Sequence, residues 1–323
     1  MNVLRAVCPA LLLVLLFVCG TGGAYEPPES VAREYAVYHL DNKTYLSAAD
    51  SIVVSTRRRL IALIRDSLDY RPDIYVVGDL AYFQSLIGGG FPDWGAAAAV
   101  APLRRIVIKS PDRFRVNRSL GELLAHEYTH LVVEKRTGFY RPPRWFDEGM
   151  AMTMSMEWSW SDNLAMSQAA VFGQFINLNQ IDNVNRFGEG KAHVAYATSY
   201  LALEYFVRQY GLDAVNRFLD EIARGKSVDS ALIISTGATE SEFDQDLRAA
   251  LSSRFNITSL FMDTVYFWTA LAILVVVGAY LKWRKRRTYY KKWRDEEKFE
   301  STDFDYGDPD RPEQTDDEEP WRS

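Results

Sequence analysis

Cysteine is nearly absent. Of 323 residues only Cys8 and Cys19 are cysteines, and both lie within the first 24. Without that stretch no disulfide can staple the protein, and a structural zinc site of the cysteine-rich kind is excluded. Histidine is scarce too: four in all, His39, His126, His130 and His193. Internal repeats are missing, and the triple glycine at 88–90 lacks the lysine-serine or lysine-threonine ending of a phosphate loop, so nucleotide binding has no support.

What is present at the start is Arg5, an apolar run from Ala10 to Val18, and small residues ending in Gly22-Gly23-Ala24. That is the layout of a secretory signal peptide cleaved after Ala24. The alternatives are an uncleaved N-terminal helix and a lipoprotein anchored at Cys19, the latter disfavoured by Phe17 and Val18. An exported domain free of cysteine is typical of bacteria.

Near the other end, residues 264–281 carry no charge over 18 positions, about the minimum for a transmembrane helix, with Tyr266, Phe267, Trp268, Tyr280 and Trp283 near its two ends as interfacial anchors. Lys282, Arg284, Lys285, Arg286, Arg287, Lys291, Lys292 and Arg294 follow at once. Positive residues beside a span mark the cytoplasmic side, so the larger domain is expected outside the cell membrane in a single-pass arrangement. Topology and anionic lipid explain this block better than nucleic acid, and no nucleic-acid partner is expected. From Asp295 onward acidic residues dominate, 13 against 3 basic, and a disordered cytoplasmic tail is expected. With leader, block and tail set aside, residues 25–263 carry only −5, too little to steer charged substrates.

The intervening chain alternates between short strands and longer helices. Apolar spacing predicts a helix over 48–68, with Arg57, Arg58 and Arg59 as a solvated face. Ile74 to Val77 and Arg104 to Ser110 read as strands separated by a glycine-rich loop at 88–95. Ser119 with Glu122 three residues later forms a capping box, and Gly138 stops the helix that follows. A second helix is expected from about Trp145, and residues 192–255 read as helical, broken near Gly211, at 225–227 and near Gly237.

Inside the capped helix stands His126-Glu127-Tyr128-Thr129-His130. Residues four apart share a helix face, so both imidazoles can reach one ion while Glu127 sits beside them as a general base. Eighteen residues after His130, Trp145-Phe146-Asp147-Glu148-Gly149 offers a carboxylate as third ligand. Three protein ligands and one open position is the arrangement of catalytic zinc. Asp147 is the alternative ligand, read rather as a hydrogen-bond partner for a ligating histidine. Tyr196 or His193 could donate to a developing oxyanion, with helix packing and a surface histidine as the plainer readings. His39 reads as structural or exposed, and Met150, Met152, Met154 and Met156 as core lining.

Leu124 to His130, then Pro143 to Ala151 around Trp-x-x-Glu-Gly, then Tyr196 to Leu201 leading to Tyr210-Gly211, resemble the Peptidase MA-like family of gluzincins. The likeness covers roughly residues 70–255. It implies a thermolysin-like core, zinc bound by His126, His130 and Glu148, and hydrolysis of peptide bonds. Arg136 stands where a metzincin would carry its third histidine, and the Gly95-to-Ala99 stretch lacks the Met-Glu-Asn element of the aminopeptidases. The expected fold class is α+β, a small N-terminal sheet on a helical lobe. The expected division is a signal peptide at 1–24, a helical segment at 25–69, the zincin domain at 70–255, a transmembrane helix at 264–281 and a cytoplasmic tail at 282–323. The function so implied is a metalloendopeptidase acting on protein or peptide substrates at the extracytoplasmic face of the cell membrane. The alternative is a non-catalytic, metal-containing binding module. No sequence feature speaks to oligomeric state.

Overall fold

The computed structural model describes residues 25, 28–88, 95–138, 140–255 and 257–298, with the side chains of 185, 189, 257–267, 296 and 297 excepted. The expected signal peptide at 1–24, most of the glycine-rich loop and the acidic tail from 299 lie outside the described residues.

The chain divides into two units, residues 1–260 and 261–323. In the first, a five-stranded sheet is built from β1 (Ser30–Ala32), β2 (Val37–Leu40), β3 (Asp73–Val77), β4 (Ala97–Val100) and β5 (Arg105–Lys109) in the order β1-β2-β3-β5-β4. β2, β3 and β5 run parallel, while β1 and β4 close the two ends antiparallel to their neighbours. Parallel strands need a crossover, and α1 (Leu46–Ile64) supplies one between β2 and β3. It stops at Arg65 in the left-handed region, φ 56°.

Strand side chains alternate between faces. Tyr38, Leu40, Ile74, Val76, Ile106 and Ile108 are buried within the main hydrophobic core, to which α1 contributes Val53, Leu60 and Ile64. Val77 and Val107 form a smaller cluster with Phe83 and Leu86 of α2 (Leu80–Ile87).

The other regular elements described in this unit are helices. α3 (Leu120–Thr137) opens with the reciprocal Ser119–Glu122 capping box and ends at Gly138, φ 67°. α4 (Arg144–Ser155) begins after Pro143, and α5 (Trp160–Val171) follows. α6 (Glu189–Ala223) breaks at Gly211, φ 80° and ψ 169°, and leads to α7 (Val228–Thr236) and α8 (Glu240–Arg254). The result is a mixed α+β fold, mostly helical with a small sheet.

Several expectations need correction. Residues 25–69 are not simply a helical segment: β1 and β2 precede α1, too short to show a periodicity. Arg57 lies over the Tyr35 ring at 4.6 Å, and Arg59 Nε and Nη1 are buried, so of the three arginines Arg58 alone is exposed. Met150, Met152 and Met154 are core, but Met156 is 70% exposed beyond the end of α4. β5, the strand expected over 104–110, is paired on both sides, and β4 ends the sheet.

The second unit contains most of α9 (Ile257–Glu297), whose described side chains from 268 to 295 are all exposed. Among the described residues no helix is long and apolar enough to cross a membrane. The transmembrane expectation for 264–281 begins in side chains outside the described set and stands on the sequence alone.

Trp145 and Phe146 anchor α4. Trp145 stacks on Phe243 at 5.4 Å and Phe146 meets Phe218 at 5.0 Å. Each fully buried aromatic contributes about 1.5–3 kcal/mol, so α4 is fixed from the side opposite its polar residues. Gly149 makes the approach of α6 possible: a Cβ there would sit 2.4 Å from the Ser199 carbonyl oxygen. A glycine-to-alanine change inside a helix ordinarily stabilises by about 0.5–1 kcal/mol. Gly149→Ala is expected to do the reverse, lowering stability by about 1–3 kcal/mol through overpacking, read as a lower denaturant midpoint at constant m-value.

Candidate metal centre

α3 presents His126 and His130 one turn apart, their rings 4.9 Å between centres and inclined at 74°. The capping box and the Gly138 stop set where this helix begins and ends, and hence which residues face inward. α4 brings Glu148 to the same place. Its Oε2 lies 3.4 Å from His126 Nε2 and 3.8 Å from His130 Nε2, and one ligand atom from each of the three residues falls within 4.8 Å of the others.

The outward-facing atoms of all three are occupied. His126 Nδ1 is 3.0 Å from Glu157 Oε1, and His130 Nδ1 is 3.0 Å from Asp147 Oδ2. Arg144 Nε–H donates to Glu148 Oε1 at 3.2 Å. Carboxylates on the far nitrogens of two histidines fix ring orientation and leave both Nε2 atoms for an ion. Two imidazoles and a carboxylate so held fit a divalent metal. Glu127, next to His126, is buried to 9% exposure.

Burial by itself would lower the pKa of His126. Hydrogen bonds to Glu148 and Glu157, with the charges of Glu157 and Glu127, outweigh it and raise the value to about 10. For His130 burial is again opposed, here by Asp147 and Glu148, and the ring is raised to about 9. Burial pulls Glu148 upward, but the His126 hydrogen bond and the charges of His130, His126 and Arg144 hold it at about 2. Glu157 is lowered despite its burial by His126 and then Arg118, whose Nη2 is 3.1 Å from Oε2.

Tyr196 comes from α6. Burial first, then the Glu148 charge, pushes its phenol up to about 12 against the Arg144 guanidinium and its hydrogen bond, so it retains a proton to donate at neutral pH. His193, one turn earlier, is tied to Asp162 at 2.8 Å and is 41% exposed at its side chain. His39 sits in β2, stacked on Tyr75 and bonded to Asp73, in a different part of the fold.

Three residues around this centre were not singled out from the sequence: Arg144, Glu157 and Arg118. Arg144 was within reach, since it precedes Glu148 by one helical turn and such pairs interact. Glu157 lies beyond the end of α4 and Arg118 before the start of α3, so only tertiary packing joins them.

A family model described as the Peptidase MA superfamily matches residues 73–253. No curated protein matches the chain.

The pKa shifts carry a pH dependence. Stabilisation from charged His126 and His130 is whole below pH 6.5 and fades as pH rises through about 9 to 10. That from ionised Glu148 is whole above pH 4.5 and fades as pH falls toward about 2. A metal ion requires neutral imidazoles, so binding at pH 7 must expel a proton from each ring. Calorimetric titration with metal in buffers of different ionisation enthalpy is expected to show that release, with affinity climbing as pH is raised toward 9. A binding heat that ignores the buffer would contradict the charged pair.

Proposed function

The chain belongs to the Peptidase MA superfamily, whose match spans more than half of it, and from that premise we propose a zinc-dependent endopeptidase acting on protein or peptide substrates. The carrying observation is that His126, His130 and Glu148 converge while the far side of each is held by Glu157, Asp147 and Arg144 respectively. Zinc is favoured by a three-ligand nitrogen and oxygen set on two rigid helices, without cysteine.

When bound, zinc supplies Lewis-acid polarisation of a peptide carbonyl and brings the pKa of water toward about 7. Glu127 takes a proton from the attacking water and passes it to the leaving amine. Tyr196 donates its hydroxyl hydrogen to the oxygen on which charge develops, a role whose loss typically costs about 2.7–4 kcal/mol of activation free energy. His193, held by Asp162, is a second donor candidate from the same helix face. Among the described residues β4 pairs with β5 on one side only, so its outer backbone edge can receive an extended peptide as an added strand.

Membrane attachment is part of the proposal and is supported by sequence: the uncharged run at 264–281 and the eight cationic residues after it favour a catalytic unit outside and a tail inside. A reporter fused after Ser323 is expected to be active in the cytoplasm, and an extracytoplasmic signal there would reverse the orientation.

The chemical reading is tested by elemental analysis and casein cleavage on the full chain in detergent. Wild type should carry one zinc per chain, and Glu148→Ala should lose it. Glu127→Ala should keep zinc while cleavage falls by about 10²- to 10⁴-fold or more. Absence of zinc from the wild type would sink the mechanism, whereas zinc without cleavage of any peptide would favour the metal-containing binding module.

A further inference from the structure

The two oxygens of Glu148 are not equivalent. Oε2 faces both imidazoles at 3.4 and 3.8 Å, while Oε1 accepts the Arg144 Nε–H at 3.2 Å. A carboxylate can hold a metal through one oxygen or through both, and at this site one of them is already taken. Arg144 is itself fixed, since its backbone N–H donates to Asp182 Oδ1 at 3.1 Å. Its side chain is only 30% exposed, and the charge-assisted bond to Glu148 is therefore partly shielded from water. The same guanidinium is hydrogen-bonded to the Tyr196 phenol. A planar fork of five donors can serve a carboxylate and a phenol together, which the point charge of a lysine cannot do with the same geometry.

We propose that Arg144 is a positioning residue that confines Glu148 to one-oxygen coordination, keeping a position of the metal centre open for water, and aligns Tyr196 with that position. The inference rests on the metal reading above. Release of Oε1 would let both carboxylate oxygens turn toward the ion, filling the position that catalysis needs.

Cobalt(II) in place of zinc makes coordination number visible, because its visible band is intense in four-coordinate sites and several-fold weaker when a further ligand enters. Full-length wild type, Arg144→Ala and Arg144→Lys are loaded with cobalt, and peptidase rates are measured on the zinc forms. Wild type should bind one cobalt per chain with the intense band. Arg144→Ala should still bind one but with a several-fold weaker band, and kcat should fall about 10- to 100-fold at nearly constant KM. Arg144→Lys should restore the band only in part. A merely structural role would lower stability and leave the band of bound cobalt unchanged, and that outcome overturns the proposal. If Arg144→Ala does not fold, Arg144→Met, which keeps the apolar stem but has no hydrogen-bond donor, is read by the same two outcomes. Wild type that takes up no cobalt overturns the metal reading and this inference with it. Normal wild-type loading with an unaltered variant band removes the positioning role alone.

Discussion

A buried carboxylate, a buried imidazole and a second imidazole only 20% exposed converge where α3 meets α4, and the withdrawal of these groups from water is the constraint on which the surrounding structure depends. An ionised group taken from water costs several kcal/mol unless it is paired and hydrogen-bonded. Glu148 meets that demand on both oxygens, through the histidines on one side and Arg144 on the other. The histidines meet it at Nδ1, through Glu157 and Asp147. Arg118 then covers the remaining oxygen of Glu157. Each partner answers the desolvation of the one before it, and the sequence of pairings runs outward until it reaches a side chain 42% exposed to water.

Such a network holds its geometry only if its helices cannot slide. α3 is fixed by its cap and by Leu124, Tyr128, Leu131 and Val132 in the core shared with the sheet. The polar residues of α4 are aimed because Trp145 and Phe146 lock its opposite face among Phe206, Phe218 and Phe243. Trp145 also donates its indole N–H to Glu240 at 3.3 Å, joining the start of α8 to the same anchor. Two adjacent aromatic residues thus supply the apolar burial that keeps Asp147 and Glu148, the next two residues, facing the histidines.

How much of this was legible beforehand follows from the range of the forces involved. The capping box, the glycine stop and the four-residue histidine spacing are local, and α3 could be drawn from its sequence almost to the residue. The break of α6 at Gly211 and the start of α8 were readable for the same reason, because glycine and capping residues act within one turn. β1, β2 and β4 were not readable: three or four residues cannot display an alternation, and β4 is all alanine and valine. Glu157 and Arg118 depend on chain segments 39 residues apart meeting in space, which no local pattern encodes. A run of arginines looks solvated in sequence, but Tyr35, from the turn between β1 and β2, lies over Arg57, and Arg59 is partly buried by packing that no local pattern shows.

Gly149 connects the third candidate ligand to the candidate proton donor. The glycine directly follows Glu148, and the backbone of α6 comes so near that the Ser199 carbonyl occupies the space a side chain would need. Tyr196 lies three residues before Ser199, on the same face of α6 by helical spacing. The contact that brings Ser199 against Gly149 therefore also brings Tyr196 beside Glu148, where the carboxylate charge and the Arg144 guanidinium act on its phenol. A side chain at position 149 would push α6 away and separate the phenol from the carboxylate even with every polar residue intact. The glycine of Trp-x-x-Glu-Gly is thus a steric requirement of the site: it sets the distance between the group that would hold a metal and the group that would meet the developing charge.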